Sequence, residues 1–441
     1  MPKSPSPHRT TRIAFINLEG QLETMSPDGQ ERRTLSQANR FFQFPAWSPD
    51  DGTIATIGGS RNGASVFAFR DEDNADLGKN GSGQLLFNRR GQVPIYLNWA
   101  PNSSAISFIA IAPPQQSFGL HVVSLEQSGS GSGLGVEGEE AGDSANGRMH
   151  HTLAVGRPCF WDWSPEGDQI LLHLGFAGEQ NSRLAFIDPY KPQSIRQSDD
   201  IAQPGLFQSP SFSHSGNYWA FARMNGDESQ LVIDGKGFDE RVTMEHHGLV
   251  ALSWSPARDQ LAFISPPGPA RTAYGPLSLL DPDGEASIIT DEMVIAFFWS
   301  PDGRSIAYFT VASTYEHMRA TIGLGRTMRE VIEEEMPGGL LNEPKEDDER
   351  TLRLNLWVVD VETHEQRLML TFQPLDIYIN QFLPFFDQYA LSHRIWSPDS
   401  NAIVLPVLQG EQARVMVIPT ASSHERPHAI ADGLMAFWSW Q

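Results

Sequence analysis

The chain has 441 residues, 40% apolar and 20% charged, so it can bury a large core and is not globally disordered. Its formal net charge of −22 excludes a reader of phosphate backbones and argues against anionic membrane surfaces, since both need a basic footprint. The single cysteine, Cys159, excludes an internal disulfide and a Cys-rich zinc site; in the apolar run Cys159-Phe160-Trp161 it reads as a buried, inert thiol.

Residues 1–11 are Pro/Ser-rich and polar and read as a disordered tail. They hold no apolar stretch of a secretory leader, and no run reaches ~18 apolar residues, so a cytoplasmic, monomeric protein without a membrane span is expected. Arg12–Asn17 and Gln21–Met25 then read as strands, followed by the turn Ser26-Pro27-Asp28-Gly29 and a further strand at Arg32–Leu35.

From there one hairpin recurs. Its clearest copy is Phe297-Phe298-Trp299-Ser300-Pro301-Asp302-Gly303, followed by Arg304–Tyr308. Proline presets the second turn position, Asp tolerates the third, and Gly takes a position where φ turns positive. Earlier copies are centred on Trp47, Trp99, Trp163, the degenerate Phe212, and Trp254; later ones are centred on Trp396 and Trp438. Most intervals between these anchors lie between 42 and 64 residues, the length of one four-stranded propeller blade. The interval from Trp299 to Trp396 is about twice as long and must hold an insertion.

Further strands follow each anchor. After Trp47 they are Thr53–Ile57, Ser65–Phe69 and Gln84–Phe87; after Trp254 they are Gln260–Ile264, Leu277–Leu280 and Ala286–Ile289. After Trp396 come Ala402–Leu408, Arg414–Ile418 and a weak segment near His428. A blade cannot bury both faces alone, so each anchor aromatic is assigned as a wedge between neighbouring sheets. The N-terminal strands lack an anchor strand and the C-terminal Leu434–Trp438 has nothing after it, so together they complete one shared blade. The fold class is therefore all-β: a single β-propeller over residues 12–441. It has eight four-stranded blades, or seven if the Phe212 repeat is not a full blade.

The Trp-Ser-Pro-Asp-Gly hairpins resemble the WD40-like repeat of the TolB propeller family, called PD40, over nearly the whole chain. The resemblance implies a protein-interaction platform. Similar repeats form the propeller of prolyl-oligopeptidase-like peptidases. In departure from periplasmic TolB, neither a signal peptide nor a preceding α/β domain is expected.

Two segments interrupt the repeat. Residues 127–147 are Ser/Gly/Glu-rich and read as a flexible loop between the third and fourth strands of blade two. Residues 313–350 form a cap insertion between the second and third strands of blade six, with a broken helix over Tyr315–Glu335. The long loop Gln373–Leu391 leads into blade seven on the same face, so a joint cap over part of one rim is expected.

Searching for chemistry gives little. There is no Gly-x-Ser-x-Gly elbow and no phosphate-binding Gly-rich loop, and the adjacent pairs His150-His151 and His246-His247 would point to opposite faces of a strand, so neither metal nor cofactor is predicted. The densest polar-aromatic cluster is Phe385, Phe386, Asp387, Tyr389, His393 and Arg394, placed by the repeat near the mouth of the central channel. Asp387, His393 and Arg394 could bind a polar ligand there, and a His–Asp pair could do acid–base work. The alternative is a purely structural network. Two functions stay open: a non-enzymatic scaffold that binds a protein or peptide through one rim and its cap, or a small-ligand binder or hydrolase/lyase-type enzyme with its site at the channel mouth.

Overall fold

The structure is a computed structural model that describes residues 11–37, 39–60, 63–71, 83–112, 117–127, 148–191, 200–237, 242–270, 272–312, 352–421 and 425–441. The predicted tail over residues 1–10, the flexible loop over 128–147 and the cap insertion with its helix over 313–350 lie outside the described residues.

Eight antiparallel sheets form the ring, in chain order, and the chain is an eight-bladed β-propeller. The Phe212 repeat builds a full blade from Ser211–Phe212, Tyr218–Asn225, Glu228–Gly235 and Val242–His246, which decides for eight over seven. In blade seven the innermost strand is irregular: only Trp396 bridges Ile403, while Ile395 O accepts from Val404 N at 2.8 Å. The shared blade closes as its sequence requires, with Met435–Trp438 antiparallel to Ile13–Ile16 in the register Ile13 to Trp438 and Ile16 to Met435.

The turn chemistry explains the repeat. In three copies Ser48, Ser300 and Ser397 donate their hydroxyls to Asp50, Asp302 and Asp399, each at 2.6 Å. The same hydroxyls accept the backbone N–H that starts the next strand, from Thr53, Ser305 and Ala402. The fourth turn position is left-handed: Gly303 has φ +66°, but Asp51, Ser103 and Ser400 take it at 53°, 59° and 62°. At Asp51 and Ser400 the hydroxyl–carboxylate clamp therefore holds the turn although glycine is missing.

The anchors do more than wedge. All eight are buried, and four indoles donate to the carbonyl just before the preceding blade's anchor: Trp99 to Ala46, Trp254 to Ser211, Trp299 to Ser253 and Trp396 to Phe298, at 2.9–3.1 Å. Trp163 reaches Asn98 O through the Ser107 hydroxyl. Phe212 has no donor to give, and there the bond runs from its backbone N to Asp162 Oδ2 at 2.8 Å. Trp440 completes the circle on Trp47 O at 2.9 Å. Each such bond contributes about 1 kcal/mol. Trp47 and Trp438 wedge without one, their indole nitrogens unpartnered among the described residues.

Candidate functional site

The segment after blade six folds into a compact plug: a π-helical turn at Tyr378–Phe382, a 3-10 turn at Leu383–Phe385 and an α-helical turn at Phe386–Ala390. It extends beyond part of one rim and crosses the inner ends of the blades. Phe386 packs on Phe297 and Phe298 of blade six, Phe382 on Phe437 of the shared blade, and Tyr389 on Tyr96 of blade two and Phe44 of blade one. A bulge in the innermost strand of blade one, with Phe44 at φ +50°, aims that ring at Tyr389, 4.8 Å away. A bulky residue in this conformation is strained, and the plug packing holds it there.

The six predicted site residues separate accordingly. Phe386, Asp387, Tyr389 and His393 are buried inside the plug or beneath it, and Phe385 is 38% exposed on its outer surface. Asp387 Oδ2 accepts from Ser209 N at 3.1 Å and its Oδ1 from Gln388 N at 2.9 Å. His393 Nδ1 bonds the Ser392 hydroxyl at 2.6 Å. No hydrogen bond joins Asp387 to His393 among the described residues, so the acid–base pair is not formed. Burial pushes the Asp387 carboxyl up to about 7 and the His393 imidazole down to about 3, which suits groups held neutral in a core. The aromatics Tyr378, Phe382, Phe386 and Tyr389 hold the plug down and present no recognition surface.

Below the plug the central channel is a blind well of about 280 Å³. It runs from Ala390 and Leu391 to the turn prolines Pro165, Pro256 and Pro301. Its wall includes the anchors Trp163, Trp254, Trp299 and Trp396, together with Asp162, His393, Arg394 and Trp440. The Arg394 guanidinium lies over the Trp440 ring, 3.8 Å from its centroid. Burial draws it down to about 10. Asp162 is pushed up to about 7 by burial, against the bond from Phe212 N. Sequence reasoning placed Arg394 near the channel and missed Asp162 and Trp440. Asp162 stands one residue before an anchor, on the position that faces the neighbouring blade, and that offset was the available signal.

The opposite surface, which bears the plug, has a different character. In an antiparallel blade the second-to-third-strand loops and the blade-to-blade connections share one face. Leu18, Phe41, Val93, Val155, Phe176, Leu206 and Phe385 all stand at strand ends or loops on that face, and all are exposed. Around Phe385 they are linked by rings: Phe385 packs on Phe160, Phe160 on His173, and His173 stacks on Phe207 at 4.2 Å beside Leu206. No helix of the described residues is long and apolar enough to cross a membrane.

The chain matches no protein-family profile and no curated protein. Solved structures similar to it include TolB from Acinetobacter baumannii, 11% identical, covering 97% of this chain and 66% of that one with a TM-score of 0.38. A eukaryotic initiation factor is 9% identical over 98% of both chains, with a TM-score of 0.47. A putative 6-phosphogluconolactonase from Bacteroides fragilis is 11% identical over 99% of both, with a TM-score of 0.44. TolB-like propellers are thus among the structures it resembles, beside proteins titled for unrelated activities, and the similarity does not determine a function.

Proposed function

We propose that this protein is a non-enzymatic propeller scaffold that docks a partner protein or peptide on its plug-bearing face. One observation carries the reading. Of the nine large apolar side chains exposed among the described residues, seven stand at that face; only Ile288 and Leu368 lie elsewhere, on outer strands. A one-sided apolar surface of this kind marks an interaction site, and aromatic residues such as Phe176 and Phe385 serve as its anchors. The occupant is a protein segment with apolar side chains, since the net charge of −22 disfavours nucleic acid. We read the hairpins as the TolB-type WD40-like repeat, PD40. The free, buried Cys159 suits a reducing, cytoplasmic setting.

The test is affinity capture with the full chain and with a Phe176→Asp, Phe385→Asp double variant of unchanged melting temperature. The expected result is a protein captured by the parent and lost from the variant. An unchanged set of captured proteins overturns the reading.

A further inference from the structure

The well beneath the plug opens on the other face, and the docking reading makes no use of it. Arg394 is the only arginine or lysine on its wall among the described residues. One face of the guanidinium is covered by the Trp440 ring at 3.8 Å. Its Nη1 donates a single long bond, 3.4 Å, to Trp440 O. Among the described residues no carboxylate lies within ion-pair distance of it. Asp51 acts on it from further off, and its oxygens accept from Trp440 N and Gln441 N at 2.6 and 2.7 Å. A guanidinium carries five N–H donors in one plane, so most of this one's donors have no partner among the described residues.

The indoles of Trp163, Trp254, Trp299 and Trp396 give the wall its flat apolar surfaces, with Ser211, Ser213, His214, Ser253 and Ser255 between them. Asp162, across the well, is occupied by Phe212 N. Its burial keeps the carboxyl partly protonated near neutral pH, so it does not strongly repel an anion. The volume of about 280 Å³ falls just below the roughly 300 Å³ at which ligand pockets begin. That admits a small molecule or one chain end.

We infer that the well binds a carboxylate carried on a compact aromatic body, with the carboxylate on the free edge of Arg394 and the ring among the indoles. A planar fork of donors matches two carboxylate oxygens, and indole walls favour a flat apolar group. The same chemistry is offered by a free arylalkanoic acid and by a peptide ending in phenylalanine.

Calorimetry on the full chain with 3-phenylpropionate, with a tripeptide ending in a free phenylalanine carboxylate, and with the amide of each tests this. At least one acid should bind, its amide should bind more weakly by roughly tenfold or more, and Arg394→Met should reduce the acid to the level of its amide. Binding of the free acid alone identifies a small-molecule site, and binding of the peptide alone a chain-end site. The inference is overturned if neither acid binds at millimolar concentration, if the amides bind as tightly as the acids, or if a folded Arg394→Met variant binds the acid unchanged. Should that variant not fold, the acid–amide comparison on the unaltered protein decides alone.

Discussion

The amide of Gln388 pairs with the backbone of Trp161 on both sides: its Oε1 accepts from Trp161 N at 3.0 Å and its Nε2 donates to Trp161 O at 2.8 Å. In effect the plug adds a side-chain rung to the innermost strand of blade three, whose inner edge has no further strand to bond. The residue is 3% exposed, and its backbone O also accepts from Tyr96 Oη at 2.7 Å. One plug residue thereby ties together blades two and three.

Gln388→Leu keeps the size but leaves the Trp161 N–H and C=O unpaired in the core. The expected cost is about 2–3 kcal/mol, because buried unpaired groups keep their full desolvation penalty. Guanidinium unfolding followed by tryptophan fluorescence measures it; a loss under about 0.5 kcal/mol would mean that the pairing contributes little.

Trp99→Phe and Trp438→Phe separate the wedge from the hydrogen bond. Both shrink a buried ring. Only the first removes a bond, to Ala46 O, since the Trp438 indole nitrogen has no partner among the described residues. Trp99→Phe should therefore be the more destabilising by about 1 kcal/mol or more. Equal losses in matched denaturation curves would sink the idea that the indole bonds staple neighbouring blades.

Ala14→Pro tests the closure. Ala14 is paired with Phe437 on one side and Thr24 on the other, so a missing N–H must break the ladder. A loss of about 3 kcal/mol or more is expected, with faster proteolysis at the chain ends. A variant that melts like the parent would show that the ring does not depend on this blade.

The pH dependence has a definite sign. His121, His150, His173, His246 and His393 are pushed down by burial to about 3 or 4, so each is neutral when folded and takes a proton on unfolding below its ordinary value of 6.5. Their contribution is complete above about pH 6.5 and is lost as pH falls towards 4. Asp162 and Asp387, pushed up to about 7, act the other way: they favour the folded state at low pH, and that advantage is lost as pH rises from about 4 to 7. Five histidines outweigh two carboxyls, so stability should fall on acidification from about pH 6.5 to about 4. Urea midpoints that rise over that interval would contradict this balance.

How far the residues could be read by themselves depended on range. The Ser-Pro-Asp turn is a contact within five residues, as Ser300 Oγ to Asp302 and to Ser305 N illustrates, and its chemistry is complete in the local string. Short apolar runs did the same for the strands, and Gln84–Phe87 was read at its observed bounds. The cluster at 385–394 lies in the plug and at the entry to blade seven. Its environment was not readable, because whether Asp387 meets water or Ser209 N depends on a contact 178 residues away.

The order of elements therefore determined the anchors and the strand that closes the ring and narrowed the blades to eight or seven, since each follows from short-range turn geometry repeated at a steady interval. Only the folded ring decided that one connection would seal the axis, that Arg394 would lie on Trp440, and that Asp162 would face the same space. Those outcomes depend on which side chains from separate blades converge at the centre, and neighbours along the chain carry no record of that convergence.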